Sequence, residues 1–362
     1  MSLRLFKHRS FVGIDLGAKA IKVVQIDRTQ VGWKISHAAS VATPRDAIKE
    51  GIVVDPPTVT AAIKDALSIA GIQAGSAVIG VSGPQVTVRN VRIPKMAETT
   101  LRKSIRFEAS RYVPSSIGDS YIEFEIVGDA PDGQMDVLIV ASPIDLVDSR
   151  IEAVEGAGLV VEYVDIDAFA SHRSIVEAND GVVAGHEAFA LIEIGATATN
   201  VSVVSNGSFA MTRSIPTAGQ TMTEALRNYF KLSEEDAEEG KTQLDFTELA
   251  GGNKPLENPP LRVLQPHVDE LVREIRRSLN YYQSQQVDGN APPPVTKLIV
   301  TGGSSKLKGF NDYVGSKLGV ETVAIGVLDN PRIAYTGHED FGTGLDLAVA
   351  SGLAMRPFDK AA

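Results

Sequence analysis

The feature that most limits how this chain can fold is a pattern that occurs twice along it. A short apolar strand ends in an acidic residue, one further residue and a glycine, and the chain then turns back into a second strand and a third. The first copy begins at residues 11–16 and the second at residues 189–194. A repeated supersecondary unit is typical of a duplicated domain, and 362 residues are enough for two such units. The sequence therefore predicts two related β-rich halves.

Apolar residues at helical spacing between and after these copies predict helices, and hence an α/β protein. A charged helix at 99–112 opens a compact α+β block inserted in the first half, and Pro114 ends that helix. A long helix is predicted from about Pro266 to Gln286. The predicted first lobe is 1–185 plus 333–362 with the insertion at about 82–163, and the second lobe is 186–332 with a helical subdomain at about 219–290.

Composition narrows the classes of function. The formal net charge of −10 argues against broad binding to the phosphate backbone of DNA or RNA. The chain has no cysteine, so disulfides and thiolate metal sites are excluded. No window of the sequence holds the roughly 20 apolar residues of a membrane span. The basic stretch 1–9 is interpreted as a short leader before the first strand, and contact with an anionic membrane surface is the less favoured interpretation.

The first candidate site is the turn after the first strand. Asp15 and Gly17 end that strand, and the chain turns straight back through Ala18 and Lys19. Such a turn points backbone N–H groups at a common point and forms a nest that binds phosphate. A carboxylate at the strand end can hold the waters of Mg²⁺, which takes one or two carboxylates together with phosphate oxygens. Lys22 either reaches a phosphate or is turned to solvent by the alternation of the strand.

The second candidate site repeats this device in the second half. Glu193 stands where Asp15 stands in the first copy, and Gly195, Ala196 and Thr197 form the turn. A single Thr-rich hairpin would be weak evidence for a phosphate site. Two such turns, one from each half and facing each other, would clamp a phosphate chain with a metal between them. The pair therefore favours a phosphate site over a plain hairpin.

Two further motifs in the second half are candidates for holding a nucleoside. Gly302, Gly303 and Ser304 follow a buried strand, and paired glycines let a flat ring approach the backbone. Glu238 and Lys241 are three residues apart and share a helix face. This pair is able to grip ribose hydroxyls and the edge of adenine, although a solvated charge cluster is the commoner reason for such a pair.

The order of these motifs resembles the ATPase fold shared by actin, Hsp70 and the sugar kinases. Within that superfamily the inserted block is the most informative part, and the chain resembles the PilM family of type IV pilus assembly proteins, which is related to the cell-division protein FtsA. The resemblance implies duplicated ribonuclease-H-like lobes with an inserted α+β subdomain of the FtsA and PilM type. The segments that carry it are 104–109 with 112–114, 140–142, 156–159, 164–170 and 349–356.

The resemblance also implies ATP with Mg²⁺ bound between the two lobes. Asp15 and Glu193 would stand near metal-bound waters, and Gly219 would lie close to the phosphate loop. The residues implied to hold phosphates are Gly17, Ala18, Lys19, Lys22, Gly195, Ala196 and Thr197, and those implied to hold the nucleoside are Glu238, Lys241, Gly302, Gly303 and Ser304.

The sequence departs from the usual family pattern at several of these positions. Ala18 and Ala20 stand where family members often carry Ser or Thr, which removes hydroxyl donors to phosphate. Glu193 replaces the more usual Asp and is one methylene longer. Asp167 falls where related ATPases have a glutamate that orients water. It is a candidate general base, and capping of the following helix is the favoured alternative. The expected enzymatic activity is a weak ATPase or none.

For partners, the resemblance implies a cytoplasmic adaptor recruited to the inner face of the inner membrane. PilM-like proteins bind the short cytoplasmic N-terminal segment of a PilN-like inner-membrane protein and contact other pilus-assembly proteins. Contact with the membrane would then be made through partners, and no nucleic acid is expected. The peptide groove is expected between the inserted block and the first lobe, where an extended peptide binds by pocket filling or strand addition.

Two other functions fit the same fold. One is a polymerising cytoskeletal ATPase related to bacterial actin or FtsA, for which self-association is required. The C-terminal residues 356–362 form no amphipathic membrane helix of the FtsA kind, which counts against an FtsA role but not against filaments. The other is a small-molecule kinase, and the sequence shows no clear sugar-binding set for it.

Overall fold

A computed structural model describes residues 11–113, 117–250, 258–285 and 291–358. The predictions for the leader 1–9, for Pro114 and for Gln286 lie outside these ranges. The strands, in chain order, are β1 (Phe11–Leu16), β2 (Ala20–Arg28), β3 (Trp33–Ala42), β4 (Ile48–Lys49), β5 (Ile52–Val53), β6 (Ser76–Val81), β7 (Thr87–Pro94), β8 (Ser120–Ala130), β9 (Gln134–Pro143), β10 (Val160–Ile166), β11 (Ala188–Ile194), β12 (Thr199–Ser205), β13 (Ser208–Ile215), β14 (Lys297–Thr301), β15 (Glu321–Ala324) and β16 (Ile333–Tyr335). The helices are α1 (Pro56–Ala70), α2 (Glu98–Ala109), α3 (Ile144–Gly156), α4 (Asp167–His172), α5 (Gly219–Phe230), α6 (Glu234–Thr242), α7 (Thr247–Ala250), α8 (Pro259–Ser284), α9 (Phe310–Leu318) and α10 (Ala348–Met355).

The chain packs as two compact units. The first takes the residues up to Val81, Asp145–Asn179 and the residues from Gly326 onward, and the second takes Ser82–Ile144 and Asp180–Ile325. Most of the inserted α+β block therefore packs with the second unit, where β7 lies beside β13 and Asn90 Nδ2 donates to the carbonyl of Phe209. The lobe boundaries predicted from the sequence stay a prediction.

The first unit is built on a six-stranded sheet in the order β10-β6-β1-β2-β3-β16. Strands β1, β2 and β3 form an antiparallel meander. Strand β6 then pairs parallel with β1, and β10 pairs parallel with β6. Because parallel strands end at the same edge, the carboxyl ends of β1, β6 and β10 lie side by side. The first candidate turn is placed at that edge.

The second unit contains a five-stranded sheet in the order β13-β12-β11-β14-β15. Strands β11, β12 and β13 are antiparallel, β14 is parallel to β11, and β15 is parallel to β14. This order and these directions match β3-β2-β1-β6-β10 strand for strand. The duplication predicted from the two sequence patterns is therefore confirmed by the topology.

Alternate residues of β1 face opposite sides of the first sheet. Val12 and Ile14 are buried with residues of α1 and α3. Gly13 points the other way, against α10. A Cβ at Gly13 would lie 2.1 Å from the carbonyl oxygen of Ala350 and 2.5 Å from the amide nitrogen of Ala354. The helix approaches the strand at backbone distance because this position has no side chain.

The second unit also holds a three-stranded sheet in the order β7-β9-β8. Helix α2 packs its apolar stripe on one face of it, with Leu101 and Ile105 buried against Val137 and Ile139. The charged amphipathic helix predicted at 99–112 is therefore present, and its regular part ends at Ala109.

The long helix α8 begins at Pro259 rather than near Pro266, so the predicted start is wrong. The side chain of Asn258 accepts from the amide of Leu261 and caps the helix, and Pro259 and Pro260 occupy the first positions, where a missing N–H costs nothing. Pro266 lies inside the helix, because burial of the apolar stripe outweighs the lost hydrogen bond. Among the described residues, no helix is both long enough and apolar enough to span a bilayer.

Arg150 ties α3 to the first sheet. It lies on the apolar face of α3 and is 4 % exposed. Its guanidinium donates to the carbonyl oxygens of Gly51 and Gly80, each at 2.9 Å. Burial lowers the pKa of Arg150, while the nearby carboxylates of Asp167 and Asp15 act in the opposite direction. Arg150 is thus the shared donor for two backbone acceptors inside the first unit.

We expect Arg150→Ala to lower the free energy of unfolding by about 3 kcal/mol, because it removes the donor of two carbonyls and leaves a cavity. Urea unfolding followed by circular dichroism measures this. The control is Arg102→Ala, which removes an exposed pair with Glu98 and should leave the unfolding midpoint nearly unchanged. Equal midpoints for the two variants would contradict the role of Arg150.

Candidate functional site

In the first unit, the hairpin register places Asp15 directly opposite Lys22. Directly opposed residues of an antiparallel pair lie on the same face of the sheet. Lys22 Nζ donates to Asp15 Oδ2 at 2.8 Å, and the two side chains are 14 % and 13 % exposed. The alternative in which Lys22 points to solvent is therefore wrong, because the register brings it onto the face that Asp15 occupies.

The turn between β1 and β2 is compact and is held by two hydrogen bonds from Thr43. A Cβ at Gly17 would lie 2.8 Å from the carbonyl oxygen of Ala20 and 3.6 Å from Lys22 Nζ. Thr43 donates its hydroxyl to the Gly17 carbonyl at 2.6 Å, and its amide donates to the Lys19 carbonyl at 3.0 Å. Ala18 and Lys19 are exposed at the tip. The backbone of this turn is thus held in place with its tip accessible.

Asp167 lies at the carboxyl edge of the same sheet, just after β10. Its side chain is buried, and its Oδ1 occupies the space that a Cβ at Gly80 would take, at 1.9 Å. The expected capping role is wrong, because β10 continues through Ile166, which is the N-cap residue of α4 and makes no side-chain cap bond. Asp167 is the first residue of that helix.

In the second unit, Glu193 and Asn200 are register partners across β11 and β12. Asn200 Nδ2 donates to Glu193 Oε2 at 3.3 Å. The separation of seven residues is the same as that between Asp15 and Lys22. The two hairpins therefore present the same arrangement, an acidic residue with a cross-strand donor, and the donor is a lysine in one and an amide in the other.

The carbonyl of Gly195 is the point at which separate motifs of the second unit meet. It accepts from Ser304 Oγ at 2.7 Å and from the amide of Gly219 at 3.3 Å. The next carbonyl, that of Ala196, accepts from the amide of Gln220 at 2.7 Å. The hairpin turn, the start of α5 and the segment after β14 are thus joined through one backbone corner, with Thr197 exposed beside it.

Gly302 is required by its conformation and by its surroundings. Its φ is 94°, in the region that favours glycine, and a Cβ there would lie 2.6 Å from the carbonyl oxygen of Ile194. Gly303 has ordinary backbone angles, and no atom lies within 4 Å of the place where its Cβ would stand. The two adjacent glycines therefore differ: the first packs against β11, and the second leaves open space.

Lys241 is buried, and Glu238 is partly buried beside it. The ammonium of Lys241 lies 2.8 Å from Glu238 Oε1 and donates to the Gly219 carbonyl at 3.2 Å. The side chain of Lys241 is 6 % exposed and that of Glu238 is 37 % exposed. Interpretation of this pair as a solvated charge cluster is therefore wrong. The pair lies next to Gly219 and is therefore close to Gly195 and Ser304.

Sequence reasoning missed several residues that this geometry uses. Thr223 lies one helical turn after Gly219, a spacing at which side chains on a helix meet, and this periodicity was the available signal. Arg150 is a charged residue on an otherwise apolar helix face, and the sequence pattern of that helix also indicates this. Thr43 and Asn200 act through register, and a single sequence does not indicate register of this kind.

The structure also limits how a metal would be held. Within the described ranges, no group of three or more His, Asp or Glu side chains is arranged as a metal site. Mg²⁺ keeps several waters and is usually bound by one or two carboxylates together with substrate phosphates. Single carboxylates such as Asp15 and Glu193 fit that kind of site and not an all-protein cage.

A model of the family described as type IV pilus assembly protein PilM matches residues 13–358. The chain belongs to the PilM family. A solved PilM–PilN type IV pilus biogenesis complex contains a chain similar to this one, with 26 % identity, a TM-score of 0.81, and coverage of 96 % of this chain and 98 % of that one.

Other relatives share the fold of the PilM family. The cell division protein FtsA of Bacillus subtilis strain 168 is 24 % identical over 263 residues, and the match covers 65 % of this chain and 58 % of FtsA, less than two thirds of that relative. MreB5 of Spiroplasma citri, solved with AMPPNP bound, is 11 % identical with a TM-score of 0.52, covering 98 % of this chain and 96 % of MreB5. The fold is the actin-like ATPase fold, as predicted.

The two glycines after β14 give a test of the site's architecture. We expect Gly302→Ala to lower the free energy of unfolding by about 2–4 kcal/mol, because it places a methyl group against the Ile194 backbone at an unfavourable φ. Gly303→Ala should change it by less than about 0.5 kcal/mol. Thermal unfolding of both variants makes the comparison, and a tolerated Gly302→Ala would show that this close approach is not needed.

Proposed function

We propose that this PilM-family chain is a nucleotide-binding adaptor of a type IV pilus or related secretion assembly machine. The observation that carries the nucleotide part is the meeting of four distant motifs of the second unit around the Gly195 carbonyl. Gly195, Gly219, Lys241 and Ser304 are far apart in the sequence, and ordinary packing does not require glycines, a buried lysine and a serine hydroxyl at one backbone corner. Recognition of phosphate and nucleoside gives this set a common purpose.

The roles of the residues follow from their chemistry. The tip of each hairpin turn offers backbone N–H groups to phosphate oxygens, at Gly17 and Lys19 in the first unit and at Ala196 and Thr197 in the second, where the Gly195 amide already donates to the Ala198 carbonyl at 3.0 Å. Lys22 donates to Asp15, and its proposed role is to donate to a bound phosphate as well. Bound Mg²⁺ would neutralise phosphate charge, and Asp15 and Glu193 are the residues proposed to hold its waters.

The same proposal assigns Gly302, Gly303 and Ser304 to the nucleoside. The open space beside Gly303 lets a flat ring approach the backbone. Gly219 and Ala196 complete the phosphate end of the proposed site. The Gly219 amide donates to the Gly195 carbonyl, and the Ala196 carbonyl accepts from the Gln220 amide, so both segments are held in place. Asp167 is proposed as the residue that orients a hydrolytic water in any weak ATPase activity; its burial keeps it away from bulk solvent.

The adaptor part rests on family membership and on the similarity to the PilM chain of a PilM–PilN complex. We propose that the partner is the cytoplasmic N-terminal segment of a PilN-like inner-membrane protein, which would bring this chain to the inner face of the membrane. Binding of an extended segment of this kind uses main-chain hydrogen bonds and side-chain pockets.

The nucleotide proposal is tested by thermal unfolding with Mg·ATP, with ATP and EDTA, and with neither. A ligand at about 100 times its Kd stabilises the folded state by about 2.7 kcal/mol, so a rise of several degrees is expected with Mg·ATP. Asp15→Asn should lose the Mg²⁺-dependent part of that rise, because it keeps the shape of the side chain and removes the charge. Asp27→Asn, exposed on the same hairpin, is the control.

The partner proposal is tested by titrating a synthetic N-terminal segment of the PilN-like protein by calorimetry. A saturable heat of binding is expected, and a peptide of the same composition in scrambled order should give none. No binding in the presence or absence of Mg·ATP would contradict the adaptor proposal, whatever the outcome of the nucleotide experiment.

A further inference from the structure

The ammonium of Lys241 already has its hydrogen-bond partners within the protein. A lysine ammonium carries three donors and no acceptor. Here it donates to the carbonyl of Gly219 at 3.2 Å, to Thr223 Oγ1 at 2.9 Å and to Glu238 Oε2 at 2.9 Å. A ligand that took a hydrogen bond from Lys241 would have to displace one of these acceptors. This geometry suits a lysine that holds its neighbours in position.

Thr223 connects the lysine to the carboxylate. Its side chain lies in α5 and is fully buried. The hydroxyl accepts from Lys241 and lies 2.5 Å from Glu238 Oε2, to which it donates. Hydrogen bonds to charged groups are about twice as strong as neutral ones. Thr223 therefore fixes the position of Glu238, which comes from a different helix, α6.

Glu238 is the accessible member of the trio. Its side chain is 37 % exposed, whereas that of Lys241 is 6 % exposed. Two donors, Thr223 and Lys241, hold its carboxylate from the buried side. An ionised carboxylate only accepts hydrogen bonds, so a ligand group that meets it from the open side must be a donor. The hydroxyls of a ribose are donors of this kind.

We propose that Thr223 is a positioning residue for sugar recognition, and that it presents the Glu238 carboxylate to the hydroxyls of a ribonucleotide. Lys241 holds the same carboxylate from the buried side. This inference rests on the proposed nucleotide site and assigns the choice between ribose and 2′-deoxyribose to that site. A site built to hydrogen-bond a hydroxyl discriminates against the analogue that lacks it, because its polar group then loses a partner.

The test compares Mg·ATP with Mg·2′-deoxyATP by calorimetry on the full chain. The wild-type protein should bind ATP about 10-fold more tightly, the effect of one hydrogen bond to a charged group. Thr223→Val keeps the shape of the side chain and removes the hydroxyl. It should bring the ratio of the two affinities close to one. Thr223→Ser, which restores the hydroxyl, should restore the ratio.

The readout is the ratio, because a merely structural role would weaken the binding of both nucleotides equally. Unfolding without ligand shows whether each variant is folded, and Thr223→Ala, which also lacks the hydroxyl, replaces Thr223→Val in the comparison if Thr223→Val is not folded. An unchanged ratio in folded Thr223→Val, or a wild-type protein that binds both nucleotides equally, would overturn this inference and leave the proposed nucleotide site standing. A wild-type protein that binds neither nucleotide would overturn both.

Discussion

The structure of the second unit depends on one constraint: several chain segments must meet at backbone distance around the carbonyl of Gly195. Close approach of this kind excludes side chains, which explains Gly219 and Gly302, whose Cβ atoms would collide with Ser304 Oγ at 2.3 Å and with the Ile194 carbonyl at 2.6 Å. A carbonyl with two lone pairs accepts from two donors there. The Gly195 carbonyl therefore has its hydrogen-bond donors, and those donors are held in position before any ligand binds. Preorganisation of this sort reduces the ordering cost of binding.

The first unit has a matching hairpin built from different residues. Its hairpin pairs Asp15 with Lys22 where the second pairs Glu193 with Asn200, at equal spacing and in equivalent register. The duplicated topology thus keeps the position of an acidic residue and its cross-strand partner while the chemistry of that partner changes. A lysine neutralises its carboxylate, and an amide does not. The two hairpins are therefore alike in shape and unlike in charge.

The sequence was sufficient for the family, the fold class and most strands, because hairpin turns, alternation and the repeated motif are local signals. It failed where tertiary packing decides. The sequence predicts a start of α8 at about Pro266, whereas the helix begins at Pro259 and Pro266 lies inside it. The sequence favours a solvated charge pair in α6, because nothing near Lys241 in the sequence shows that it packs against Gly219 and Thr223 of α5. Thr223 was overlooked for the same reason. The roles of the candidate site residues, unlike their positions, stay predictions.

The central claim is that the turns of both hairpins take part in nucleotide binding. Hydrogen exchange of the backbone amides, measured with and without Mg·ATP, tests it most directly, because the N–H groups in question are the proposed ligands. The account predicts slower exchange at Gly17, Ala18 and Lys19 and also at Ala196 and Thr197. Slower exchange in only one of these turns, or in neither while the nucleotide is bound, would contradict it.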